Sequence, residues 1–257
     1  MRAAIIGMGV IGRAQAEMFG ELVEATYDPA WDASYPRRVI GSCDFAVICV
    51  GTPMSEDGSA DLGGVEAAIR ELPSVMPVLL RSTVPPGTTD RLLHGRRYYC
   101  HAPEFLGENV RHSWQRSADV PYMLLGGELE ARSFFLPVLR KVFPGSIHEC
   151  SALESEMAKY VANLYWATRV TFVNEMALIC ETFGVDYERV REAWLSDPRM
   201  TSVYTRRAGY PPGFGGRCWP KDLAALIAAA QDAGYDAAFL MDVERANWRF
   251  GGDEEES

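Results

Sequence analysis

At 257 residues the chain suffices for one large or two modest domains, and 48% hydrophobic with 23% charged residues is the composition of a water-soluble globular protein. A net charge of −10 argues against nucleic acid or an anionic membrane surface as partner, and no apolar run reaches the roughly 18 residues that span a bilayer. The six cysteines (43, 49, 100, 150, 180 and 218) form no CxxC pair and the four histidines are scattered; no metal site is expected, and the cysteine pattern fits a reducing cytoplasm.

In chain order, residues 2–6 predict a buried strand rather than a signal peptide, because glycines interrupt the apolar run and no small-residue cleavage site follows. Gly7-Met8-Gly9-Val10-Ile11-Gly12 then leads into a helix reaching Phe19. Strands are predicted at about 23–27, ending at Asp28, and at 45–50, running into Gly51-Thr52-Pro53. Further strands are expected at 78–82, 97–101 and 122–125, with a helix over 128–142. This alternation predicts an α/β fold, a Rossmann-type doubly wound parallel sheet with helices on both faces, over residues 1–150. At Ser151 the texture changes. Ser151-x-x-Glu154 is a capping box, and nothing breaks the helical pattern before Gly184. The helix is about 32 residues, or roughly 48 Å long. It is apolar nearly all round, which requires burial on several sides. Helices at 187–195, 221–233 and 236–250 complete an all-helical domain, 151–250, built on that long central helix. Residues 251–257 read as a disordered acidic tail.

The three glycines of the first turn carry a dinucleotide signal, because the motif follows a strand, opens a helix, and precedes an acidic residue at the next strand's end. Asp28 lies 16 residues after Gly12. Gly7 permits the tight turn, Gly9 lets a pyrophosphate approach the backbone, and Gly12 lets helix and strand pack closely. The phosphates rest on the helix N-terminus at Val10 and Ile11. Asp28 suits the adenosine ribose and repels a 2′-phosphate, favouring NAD over NADP. Thr52 and Pro53, at a strand's carboxyl end, mark the edge of the cofactor crevice.

Two further features carry chemistry. In Gly213-Phe214-Gly215-Gly216-Arg217-Cys218-Trp219-Pro220-Lys221-Asp222, one cysteine stands at the mouth of a predicted helix, with Pro220 suited to the first helical position and Lys221 nearby. A helix N-terminus and a cation both favour thiolate, making Cys218 the candidate nucleophile. Lys159 and Asn163 are i, i+4 on the long helix and share a face. A lysine in so apolar a helix is costly without a partner or a role.

Together with Asp57-Gly58-Ser59-Ala60-Asp61-Leu62, Ser82-Thr83-Val84-Pro85-Pro86-Gly87-Thr88, Ala102-Pro103-Glu104-Phe105-Leu106-Gly107-Glu108 and Lys159-Tyr160-Val161-Ala162-Asn163, these runs resemble the UDP-glucose/GDP-mannose dehydrogenase family, from the N-terminus to about Phe250. The resemblance implies oxidation of the C6 hydroxymethyl of a nucleotide sugar, UDP-glucose to UDP-glucuronate foremost, with two NAD and one water. It casts Cys218 as the residue that traps the aldehyde as a thiohemiacetal and carries it to a thioester. Lys159 and Asn163 stabilise the anionic oxygen. Thr83, which also borders the cofactor, and Asp222 hold and activate water. Glu104 becomes the base for thioester hydrolysis and Glu108 a second acid near the sugar or cofactor. Glu104, Phe105, Leu106, Lys159, Asn163, Phe214 and Gly215 line the sugar, and Arg199 matches a position that reaches a neighbouring subunit's substrate.

A homodimer through the 152–183 helix is expected, since a monomer exposes too much of that apolar surface. Family members continue into a third, Rossmann-like domain that grips the nucleotide, and this chain reads as lacking it. Three forms fit: a compact active enzyme, a half-enzyme completed by a separate chain, or a remnant that only binds NAD. Retention of Cys218, Lys159, Asn163 and Asp222 favours the first two. The competing activities are a single-step hydroxyacid dehydrogenase, which has no need of Cys218, and a non-catalytic NAD-binding subunit.

Overall fold

A computed structural model describes residues 1–32, 34–107, 114–207 and 213–251. The chain divides into two compact units, Met1–Ser55 with Ala60–Lys159, and Glu56–Ser59 with Tyr160–Ser257. No helix among the described residues is long and apolar enough to cross a membrane.

The first unit is a seven-stranded sheet in the order β2-β1-β3-β4-β5-β6-β7, formed by β1 (Ala3–Ile6), β2 (Val23–Tyr27), β3 (Phe45–Ile48), β4 (Val78–Leu80), β5 (Tyr99–His101), β6 (Tyr122–Gly126) and β7 (Ser146–Cys150). All neighbours run parallel except β5 and β6. The central strands are apolar at every position because both faces are covered. Ala3, Ile5, Phe45, Val47 and Leu79 enter one core with Phe19 of α1 (Val10–Phe19) and Phe135 of α5 (Leu129–Val142). Alternate residues Ala4, Ile6, Ala46, Ile48, Val78 and Leu80 point the other way. They pack on Ile40 of α2 (Arg37–Ile40), Val65 of α3 (Gly63–Glu71) and Leu93 of α4 (Thr88–Leu93). The doubly wound Rossmann-type sheet expected from the alternation is therefore the fold. β7 is a polar edge strand, Ser-Ile-His-Glu-Cys, which has too little apolar alternation to stand out in the sequence. The fifth strand is shorter than expected, 99–101 rather than 97–101.

Helix α6 (Ala152–Thr182) starts in this unit. Its capping box forms as read: the Ser151 N–H donates to Glu154 at 2.7 Å, and the Glu154 N–H donates to the Ser151 hydroxyl at 3.2 Å. Beyond its end, Gly184 adopts φ +67°, and the Val185 N–H returns to the Cys180 carbonyl at 2.8 Å. The Glu156 carboxylate accepts from the N–H groups of Gly87 (2.5 Å) and Thr89 (2.7 Å), which ties the first turns of α6 to the N-terminus of α4.

The second unit holds the rest of α6 with α7 (Tyr187–Trp194), α8 (Trp219–Asp232) and α9 (Ala238–Arg249). Helix α8 begins at Trp219, so Cys218 is its N-cap and Pro220 its second residue rather than its first. Proline is tolerated there because a first-turn N–H has no intrahelical acceptor. Of the acidic tail expected at 251–257, residues 252–257 lie outside the described residues.

His101, at the end of β5, is fully buried, with Nδ1 3.0 Å from the Ser155 hydroxyl and Nε2 3.2 Å from the Ser82 carbonyl. A carbonyl only accepts, so the proton resides on Nε2. Burial pushes its pKa down to about 3. The unfolded chain therefore takes up this proton near pH 6.5 and the folded chain does not, so stability falls as pH drops below 6.5. Urea denaturation should show wild type losing on the order of 2–3 kcal/mol relative to His101→Gln between pH 6.5 and 4.5. Parallel curves would show the imidazole gaining protons equally in both states.

Candidate active site

In the first unit the strands' carboxyl ends shape the site. Gly7 has φ +87° and its N–H donates to the Tyr27 carbonyl at 2.8 Å; a Cβ there would lie 2.7 Å from the Val50 nitrogen. At Gly12 a Cβ would lie 1.8 Å from the Gly7 oxygen. Gly9, the N-cap of α1, differs: a Cβ there meets nothing within 4 Å. Two glycines thus permit backbone contact, and the third leaves open space at a helix N-terminus, beside Val10 and Ile11. The Asp28 carboxylate accepts from the Met8 N–H at 2.6 Å and the Ala30 N–H at 2.9 Å, which fixes its orientation. A cavity of about 830 Å³ is lined by Gly7, Gly9, Asp28, Tyr35, Val50 and Gly51, among others. It lies where β1 meets β3 and the strand order reverses, the expected place for a dinucleotide.

Behind it, the loops after β3 and β4 are tied together. The Thr52 hydroxyl donates to the Thr83 carbonyl and the Ser82 hydroxyl to the Val50 carbonyl, both at 2.7 Å. Thr52 is buried, Thr83 half-buried and Pro53 exposed. Glu104 is 6% exposed and held from four sides. It accepts from Arg81 (2.5 Å), Ser117 (2.7 Å), Gln15 (2.8 Å) and the Phe105 N–H (3.0 Å). Burial alone would push this carboxyl up, but Arg81, Ser117 and the Phe105 N–H outweigh it and hold it below the usual carboxylate range. Phe105 is buried, Leu106 half-buried, and Lys159 is 8% exposed, with Nζ 4.8 Å from the Phe105 ring centre. Glu108 lies outside the described residues.

In the second unit, Cys218 is half-buried at the N-cap of α8, and its carbonyl accepts from the Asp222 N–H at 3.0 Å. Asp222 is 1% exposed. It accepts from the Asn163 amide at 2.6 Å and the Lys221 ammonium at 2.5 Å. Phe214 is buried, and its backbone N–H and carbonyl both pair with the Asn247 side chain at 2.8 Å, which pins the glycine-rich loop; Gly215 is exposed. Arg199 is exposed and bound through its Nη2 to Asp197 at 2.6 Å.

The sequence reading missed Arg81, Gln15, Ser117, Glu156 and Asn247. Arg81 carried a signal, since a charge inside Val-Leu-Leu-Arg-Ser requires a buried partner. Gln15 carried another, because it shares the inward face of α1 with Gly12 and Phe19.

These features define a nicotinamide-dinucleotide-binding α/β protein. Residues 32–118 match the NAD binding domain, and residues 153–249 the central domain, of the UDP-glucose/GDP-mannose dehydrogenase family; the chain belongs to that family. It is 37% identical to UDP-glucose 6-dehydrogenase of Pseudomonas aeruginosa, with 82% of this chain and 49% of that one covered. It is 32% identical to GDP-mannose 6-dehydrogenase of Pseudomonas syringae pv. tomato, covering 82% and 52%. The chain thus spans about half the length of these relatives. A UDP-glucose dehydrogenase structure from Pyrobaculum islandicum aligns with a TM-score of 0.83 at 30% identity, covering 96% of this chain and 68% of that one.

Gly9→Ala should leave thermal stability within a degree or two of wild type yet weaken NAD binding at least tenfold, whereas Gly12→Ala should lower both; calorimetric melting and titration separate the two. Arg81→Met should cost about 3–5 kcal/mol in denaturant unfolding, because it leaves the Glu104 charge buried without its cation.

Proposed function

We propose that the chain is an NAD-dependent nucleotide-sugar 6-dehydrogenase that converts a C6 hydroxymethyl to a carboxylate, with UDP-glucose as the foremost substrate. The sheet unit binds the cofactor and the helical unit carries the nucleophile. The observation that carries this reading is the Cys218–Asp222 turn: the cysteine caps a helix whose first-turn aspartate is buried against Asn163 and Lys221. A merely structural cysteine has no need of a buried carboxylate, an amide and an ammonium arranged one turn away.

Gly7, Gly9 and Asp28 would hold NAD, which would supply the hydride acceptor for two successive oxidations. Cys218 attacks the aldehyde carbon produced by the first, and the S–C bond holds that carbon until the second makes it a thioester. Lys159 and Asn163 donate to the oxygen that carries charge in the tetrahedral states. Water then adds to the thioester, its proton passing to Glu104, and the C–S bond breaks to give carboxylate and Cys218. The balance is one alcohol, two NAD and one water to one carboxylate, two NADH and three protons. Glu104, held below the usual carboxylate range, accepts that proton as an ionised but weak base. Thr83 and Asp222 help hold the water, and Phe105, Leu106, Phe214, Gly215 and Arg199 contact the substrate. An exposed row on α6, Leu153, Met157, Val161, Tyr165, Phe172 and Ile179, supports a homodimer through that helix. A cytoplasmic location fits six cysteines of which none forms a disulfide.

The test is an assay of the full chain with NAD and a panel of UDP- and GDP-sugars, counting NADH per acid formed. Two NADH per acid are expected, and Cys218→Ser should abolish acid formation. One NADH per product, or full activity in the serine variant, would overturn the mechanism.

A further inference from the structure

The cofactor cavity contains a charge arrangement that the dinucleotide motif does not account for. Asp28 supplies one negative charge and Glu71, at the end of α3, a second; both line the cavity. Arg37, the first residue of α2, is the one lysine or arginine among its described lining residues. Arg37 is already engaged on one side in this arrangement, although its side chain is 72% exposed. Its Nη2 is ion-paired with Glu71 Oε2, and its guanidinium stands 5.8 Å from the centre of the Tyr35 ring. Tyr35 in turn packs edge-on against Tyr27, at 5.0 Å between ring centres, so the arginine rests on an aromatic pair that lines the same cavity as Asp28.

Arginine near the end of the second strand is the group that receives a 2′-phosphate in NADP-dependent relatives of this fold. Here Arg37, although it follows β2 by ten residues, lines the same cavity as Asp28, with its Nη2 paired to Glu71. We propose that Glu71 is a specificity-determining residue: it engages Arg37 and adds a second negative charge at the adenosine end, so discrimination against a 2′-phosphorylated dinucleotide rests on Glu71 as well as Asp28. With Glu71 ionised, the three groups sum to one negative charge facing a phosphate that carries nearly two. With Glu71 neutral they sum to zero, and the guanidinium, no longer held by its ion pair, can turn its whole fork of donors to a phosphate. Arg37 and Glu71 have side chains 72% and 37% exposed, so their pair adds little to folding, and the consequence falls on selectivity.

The test measures dissociation constants of the full chain for NAD and NADP by titration calorimetry, and for the fragments 5′-ADP and 2′,5′-ADP. The proteins are wild type, Glu71→Gln, Arg37→Met and the double variant, each first checked by circular dichroism; Glu71→Ser substitutes if the glutamine variant does not fold. The NADP-to-NAD ratio of dissociation constants should fall at least tenfold in Glu71→Gln, in parallel with the fragment ratio. It should return toward wild type in Glu71→Gln/Arg37→Met, and added salt should erode the gain. A ratio within twofold of wild type in Glu71→Gln, or a gain that survives loss of Arg37, would overturn the proposal.

Discussion

The backbone of Gly7 lies so close to the backbone of Val50 that no side chain fits between them. That contact closes the first turn onto the end of the neighbouring strand at the point where the strand order reverses. Gly12 meets the same turn from the other side and lets α1 descend directly onto the sheet. Once both approaches are made, the space at Gly9 is open by construction, and the N-terminus of α1 faces it. Asp28 follows from the same geometry, since its carboxylate closes on the Met8 N–H and is carried to the cavity wall. The cofactor site is thus a consequence of how tightly two strand ends can be brought together.

A second rule governs two carboxylates assigned to chemistry: each has an opposite charge and hydrogen bonds around it. Glu104 has Arg81, Gln15, Ser117 and a backbone N–H. Asp222 has Lys221 and Asn163. Such clusters are costly to desolvate, and their geometry repays that cost only when nearly all donors are used. The first cluster fixes one carboxylate in its ionised form behind the cofactor loops. The second fixes the turn that presents Cys218. Each lies within a single unit, and in the first Arg81 Nε and Nη1 and Gln15 Oε1 are buried without a hydrogen-bond partner.

The sheet was legible because both faces are buried, so β1, β3 and β4 read as unbroken apolar runs bounded by glycine or proline. Helix α6 was legible from its capping box and from Gly184. β7 was not, because an edge strand with one neighbour can be polar. The Cys218 turn was legible in outline, but assigning Pro220 to the first helical position missed Cys218 itself as the cap, since sequence alone does not fix where a helix begins to within a residue. The candidate residues on loops were found through motif resemblance, whereas their supports were not. Arg81, Gln15 and Asn247 come from elements far apart in sequence, and only folding brings them to Glu104 and Phe214.

The proposed function rests on a claim about sulfur: Cys218 would bond to the sugar carbon between two oxidations. Peptide mass spectrometry of the Glu104→Gln protein, acid-quenched during reaction with NAD and UDP-glucose, tests it most directly, because slowed hydrolysis lets the thioester build up. The account predicts a sugar-derived acyl group on the peptide containing Cys218 and on no other cysteine peptide. NADH formation with that peptide unmodified would contradict it.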